Sequence, residues 1–160
     1  MRKVNTNDME LFTWSSPKGT MAGESLNVSE ALGRKRDSTD LMERHPFDVE
    51  ILHVLPGKPP YPYHSHSAQW EFYHVLSGHG RVRHDGGTTE IGPGDAFLFK
   101  PGEAHQLLND GEENMIVYVI ADNPIGESWY YPDSGKVGTQ LPKRLALRTT
   151  EPVDYFDGEE

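Results

Sequence analysis

Gly57-Lys58-Pro59-Pro60-Tyr61-Pro62-Tyr63-His64-Ser65-His66-Ser67-Ala68-Gln69-Trp70-Glu71 is the stretch on which the reading of this chain turns. In an extended strand residues i and i+2 face the same side, so His64 and His66 present two imidazoles to one space. Glu71 cannot share that face within one straight strand, so Ser67 to Trp70 must turn or bulge before the carboxylate can join the pair. A second stretch, Gly94-Asp95-Ala96-Phe97-Leu98-Phe99-Lys100-Pro101-Gly102-Glu103-Ala104-His105, ends a strand in a Pro-Gly turn. His105 opens the next strand and offers a fourth ligand.

Outward from these stretches, Gly and Pro clusters punctuate short runs: Pro56-Gly57, Ser77-Gly78, Asp85-Gly86-Gly87, Gly92-Pro93-Gly94, Pro101-Gly102 and Asn109-Asp110-Gly111. Between them lie candidate strands at Glu71 to Leu76, Arg81 to His84, Thr88 to Ile91, Ala96 to Phe99, His105 to Leu108 and Asn114 to Ala121. Evenly spaced short strands with hairpin turns read as an all-β sandwich or barrel. A parallel α/β fold would need intervening helices of roughly 10 to 15 residues, and the pattern has none. Upstream, Phe47, Val49 and Ile51 alternate with Asp48, Glu50 and Leu52, the period of a half-buried strand. On that alternation His53 is expected to share the interior face of Ile51.

The organisation expected is an arm over residues 1–45, a barrel over 46–122 and an extension over 123–160 that adds one more strand within Leu141 to Thr149 and ends in an acidic tail. Within the arm, Val28 to Leu32 is expected to form one helical turn, and Gly33-Arg34-Lys35-Arg36-Asp37 to be a solvated loop. The chain has 160 residues, enough for one core. Its net charge of −10 repels phosphate backbones and anionic lipids, so neither nucleic acid nor membrane is an expected partner. No apolar run reaches the roughly 20 residues of a bilayer span, and the first residues lack a signal-type apolar stretch, so the cytoplasm is the expected location. Cysteine is absent, which leaves histidine and carboxylate as the available metal ligands.

The two motif stretches resemble the pair that defines the cupin superfamily: a glycine, a His-x-His pair, a glutamate and a glycine, then Gly-Asp, Pro-x-Gly-x-x-His and an asparagine. The resemblance runs from about Pro56 to Asn109 and implies a single jelly-roll barrel. It places the family's metal ligands on His64, His66, Glu71 and His105. Two departures stand out: six residues rather than five separate Gly57 from His64, and Lys100 occupies a position where the motif usually has proline. A three-nitrogen, one-oxygen set suits one divalent transition metal (Zn, Fe, Mn, Ni or Co) better than Ca or Mg. The segment Trp129 to Lys136 resembles that of single-cupin bacterial proteins described as sugar-phosphate-isomerase-like.

From this the expected function is action on a small polar metabolite, led by isomerisation of a sugar or sugar phosphate. An Fe-dependent dioxygenase and a non-catalytic metal-dependent binding protein are the alternatives. Glu71, His53, Lys100, Tyr63 and Tyr73 are the candidate catalytic residues: Glu71 and His53 for proton transfer, Lys100 as a rim residue or substrate contact, and the two tyrosines as hydroxyl donors. Arg81 or Arg83 could meet a phosphate if they line the mouth. A homodimer is expected, with the arm as a strand available for exchange.

Overall fold

The computed structural model describes residues 1–140, 144–148 and 153–158. In chain order its elements are β1 (Phe12–Ser15), β2 (Ala22–Leu26), α1 (Val28–Ala31), α2 (Leu41–Arg44), β3 (Phe47–Val54), β4 (Ser65–His66), β5 (Glu71–Ser77), β6 (Gly80–His84), β7 (Gly87–Ile91), β8 (Ala96–Phe99), β9 (His105–Leu108), β10 (Met115–Asp122), β11 (Ser128–Tyr131), β12 (Lys136–Thr139) and β13 (Leu145–Arg148). They form a six-stranded sheet in the order β1-β2-β3-β10-β5-β8, a four-stranded sheet β13-β12-β11-β4 and a three-stranded sheet β7-β6-β9. This is the all-β architecture that the turn spacing predicts, in the jelly-roll-like form that the cupin resemblance implies. The strands from β5 to β10 fall within about two residues of the runs between the Gly and Pro clusters.

The core lies between the six-stranded and three-stranded sheets, where Leu52, Val54, Tyr73, Val75, Val82, Leu107, Met115 and Val117 pack together. Two residues shared with the motifs hold its edges. Asn109 is 3% exposed and spends its side chain on backbone, donating to Val54 O at 2.7 Å and Glu113 O at 2.8 Å. Gly78 turns at φ 75°, and a Cβ there would lie 2.6 Å from Asn114 O, so the β5–β6 turn requires glycine.

The arm joins the sheet in cis. β1 and β2 form a hairpin on the edge of β3, with Glu24 opposite His53 and Ser25 opposite Leu52. The expected helical turn is α1, and it packs against β3, where Ser29 Oγ accepts from Val49 N at 2.7 Å. The expected solvated loop is exposed at Gly33, Lys35, Arg36 and Asp37 but not at Arg34, whose side chain is 9% exposed and pairs with Asp48 at 2.6 Å. Its guanidinium is drawn in by Asp48 and Glu30, which face it from β3 and α1. The expected last strand is β13, and the rest of that expectation, residues 141–143 and 149, lies outside the described residues. Of the acidic end, Glu159 and Glu160 lie outside them as well, and residues 153–158 are exposed. No helix of the described residues is long and apolar enough to cross a membrane.

The face of β3 is inverted relative to expectation. Leu52 and Val54 are 1% and 0% exposed and point inward together with Glu50, whereas Ile51 and His53 take the other face. β3 carries apolar residues on both parities because α1 covers part of its outer side, so alternation alone does not identify the inner one. His53 therefore does not reach the cavity and instead stands 3.8 Å from Glu24.

Candidate metal centre

His64 lies directly beside the start of β9 and is bridged to His105 through reciprocal backbone bonds of 3.2 and 2.8 Å. After β4 the chain turns through residues 67–70, as the spacing requires, and Glu71 opens β5. One donor atom each from His64, His66 and Glu71 falls within a 4.8 Å group. His64 Nε2 lies 3.0 Å from His66 Nε2, His66 Nε2 lies 3.6 Å from Glu71 Oε1, and His105 Nε2 lies 2.7 Å from Glu71 Oε2.

The outer nitrogens show how these rings are aimed. His64 Nδ1 meets Pro62 O at 2.9 Å and His105 Nδ1 meets Glu103 O at 3.2 Å. A carbonyl accepts only from N–H, so each ring holds a proton on Nδ1, which leaves Nε2 as the nitrogen turned toward the cluster, where that of His105 donates to Glu71. His66 Nδ1 is buried without a hydrogen bond, and Glu127 Oε1 faces it at 3.6 Å. Three imidazoles aimed at one carboxylate, each with its far nitrogen against an oxygen, fit a divalent transition metal.

The electrostatics of the metal-free chain agree. Burial would raise Glu71, but the His105 hydrogen bond and the charges of His66, His105 and His64 outweigh it and lower the carboxyl to about 2. Burial brings His64 down to about 4, which keeps it a neutral donor. For His66, burial lowers but Glu127 and Glu71 prevail and raise it.

Tyr73 belongs to the site. Its hydroxyl donates to Glu71 Oε2 at 3.0 Å and lies 3.3 Å from both His105 Nε2 and the Tyr61 hydroxyl. Burial, then Glu71, holds both tyrosines well above the ordinary phenol value, so they remain protonated donors.

Other sequence candidates lie elsewhere. Tyr63 alternates with His64 and takes the opposite face, where its hydroxyl donates to Asp85 at 2.7 Å beneath the Arg83 guanidinium. Lys100 is an exposed turn residue, its ammonium 3.4 Å from Glu103 and its side chain 59% exposed, because the chain has left the wall by the end of β8. Arg81 pairs with Asp110 and Arg83 with Asp133 on the surface, away from the cavity, so neither can meet a substrate phosphate at the mouth.

His64, His66 and Glu71 line a cavity of about 470 Å³ whose other walls include residues that the motif spacing does not single out: Trp14, Arg34, Arg36, Glu50, Glu127, Trp129 and Arg144. Glu127 is 5% exposed and accepts from Ser67 N at 2.8 Å and Ala68 N at 3.2 Å. It precedes β11, whose Trp129 pairs with His66. No local pattern marks Glu127, since its role arises from strand pairing some sixty residues away.

Residues 50–121 match the family model for the cupin domain. Solved structures share the architecture over most of the chain. A sugar phosphate isomerase of the cupin superfamily from Silicibacter pomeroyi is 23% identical, with 96% of this chain and 97% of that one covered and a TM-score of 0.78. A protein from Acidithiobacillus ferrooxidans, provisionally named a sugar phosphate isomerase, is 20% identical over 92% and 90% at the same TM-score of 0.78. The polyketide cyclase RemF from Streptomyces resistomycificus is 22% identical over 76% and 79%, with a TM-score of 0.58. A search of curated proteins finds no match. At these identities the structural likeness concerns the fold, and the chain contains a cupin-type domain.

Proposed function

We propose that this chain is a metal-dependent isomerase of a small hydroxy-carbonyl compound, a sugar or sugar phosphate. The observation that carries the reading is the donor cluster of His64, His66 and Glu71 inside a cavity of about 470 Å³, within the size range of roughly 300 to 1,000 Å³ typical of small-molecule sites. The name carried by the Silicibacter pomeroyi protein supports it as an analogy.

Held by His64, His66, Glu71 and His105, a divalent transition metal would act as a Lewis acid toward a carbonyl oxygen. The chain's own groups complete the setting. His64 and His105 are oriented by their Nδ1 contacts to backbone carbonyls, Glu71 is ionised, and Tyr61 and Tyr73 stay protonated, Tyr73 donating to Glu71 and Tyr61 to Tyr73. Trp14, Trp129 and Tyr131 give the cavity apolar walls that restrict water. Isomerisation needs no second reactant, so one cavity suffices.

The test is elemental analysis of protein purified without a His tag, followed by incubation of the metal-loaded chain with aldoses, ketoses and their phosphates in D2O. Interconversion with deuterium uptake, lost in a His64→Ala/His66→Ala variant, is the expected result. Native iron with oxygen-consuming turnover would replace the isomerase by a dioxygenase. Tight metabolite binding without conversion would replace it by a binding protein. A homodimer belongs to the same reading, prompted by Leu76 and Leu98, 45% and 49% exposed on the outer face of the six-stranded sheet. Light scattering at twice the chain mass of 18.0 kDa is the expected result.

A further inference from the structure

An isomerase must move a proton between carbons, and the expected carriers do not serve. His53 faces away, Glu71 is engaged by His105 and Tyr73, and the cavity tyrosines stay protonated. The carboxylates that line the cavity are nearly all engaged: Asp48 with Arg34 at 2.6 Å, Asp37 with Gln140 at 3.1 Å, and Glu127 with the Ser67 and Ala68 amides. Glu50 is the exception. It sits on the inner face of β3 and has no hydrogen bond or ion pair among the described residues.

Its surroundings explain its readiness to hold a proton. β10 faces it with Val119 and Ala121, and the uncharged Asn27 also lines the cavity. The charged groups acting on it are Asp48 on its own strand, Glu71 on β5, and Arg34 and Arg36 beyond α1. Burial first, then repulsion from Asp48 and Glu71, outweighs the two arginines and pushes the carboxyl up to about 7. An acid tuned toward neutrality in a cavity is what proton transfer at physiological pH requires.

We propose that Glu50 is the catalytic acid–base group that exchanges a proton with a ligand bound at the metal centre, an assignment that rests on the isomerase reading for the reaction it serves. With an aldose, the C2–H bond breaks and its proton passes to the Glu50 carboxylate. The C–H electron pair forms the C1=C2 bond while the carbonyl π pair moves onto O1. On return, Glu50 delivers its proton to C1, and the O2 hydroxyl proton ends on O1. Substrate and product differ by no atom and no electron.

The experiment compares metal-loaded wild type, Glu50→Gln and Glu50→Asp. Glycolohydroxamate, a chelating mimic of an enediolate, is titrated calorimetrically between pH 6 and 8 in buffers of different ionisation enthalpy, which counts protons exchanged on binding. In parallel, deuterium uptake is followed with aldoses and aldose phosphates. In Glu50→Gln the proton count is expected to change by about half a proton or more while metal stoichiometry holds. Its kcat is expected to fall about 100-fold or more with KM within about threefold, and Asp to restore about tenfold. An unchanged proton count in Glu50→Gln, failure of wild type to bind the probe, or kcat within about threefold of wild type overturns the assignment. If wild type converts no sugar yet the proton count depends on Glu50, the isomerase reading fails and Glu50 stands.

Discussion

The strands from β3 to β10 and the segments on either side contribute to the same cavity in different ways. The barrel strands and their connections supply the candidate donors His64, His66 and Glu71 to its lining, with His105 against Glu71, whereas the arm and the extension supply Trp14, Arg34, Glu127, Trp129 and Arg144 around them. Donors are set by short spacings on neighbouring strands. The walls are set by pairing over long sequence distances, as when β11 lies against β4 and β2 against β3. The contrast separates what a motif determines, the chemistry at the centre, from what the irregular ends determine, the shape and charge of the space above it.

The sharpest way to break this contrast is to remove the barrel's contribution. His64→Ala/His66→Ala should leave less than about a tenth of an equivalent of metal by elemental analysis and reduce turnover about 1,000-fold or more. Retained metal would mean that the donor set lies elsewhere. Removing the extension's carboxylate tests the other side. Glu127→Gln should weaken metal affinity about 10- to 100-fold in a chelator competition, because His66 loses the carboxylate charge behind its Nδ1. Unchanged affinity would confine the extension to wall building.

A subtler test uses β3 itself, a barrel strand whose wall residue the motif did not reveal. In the metal-free chain the Glu50 carboxyl is raised from 4.5 to about 7, so the folded state retains a proton there that the unfolded state releases. The resulting stability is complete below pH 4.5 and is lost as pH rises through about 7. Glu50→Gln, neutral throughout, should therefore gain about 2 to 3 kcal/mol over wild type at pH 8 to 9, and no such gain near pH 4, in denaturant titrations. The smallest effects belong to residues outside the cavity. Tyr63→Phe should cost about 1 kcal/mol from its lost bond to Asp85. Lys100→Ala should stay within about 0.5 kcal/mol, and both should keep metal affinity within about twofold.

The same contrast governs what could be read from the chain. The turn at residues 67–70 and the strand positions follow from the strand period and glycine-bearing turns, whereas the set His64, His66, Glu71 and His105 is what the cupin resemblance implies. Glu50 was hidden because β3 is apolar on both faces, so its period of two does not say which face is inward. Arg34 looks like loop charge until Asp48 and Glu30 are seen to gather it in. Tyr63 and Lys100 fail for the opposite reason: closeness in sequence to a ligand does not determine which side of the wall a side chain takes.

Glu127 makes one equilibrium out of two. Its carboxylate holds the amides of Ser67 and Ala68 and stands behind His66, so seating the segment after β10 and loading the metal draw on the same contacts. By reciprocity, the factor that the seated segment adds to metal affinity returns as protection of that segment when metal is bound. The ion thereby acts as a clasp on the fold: hydrogen exchange at Ser67 and Ala68 should slow on loading by the same factor that Glu127 contributes to affinity.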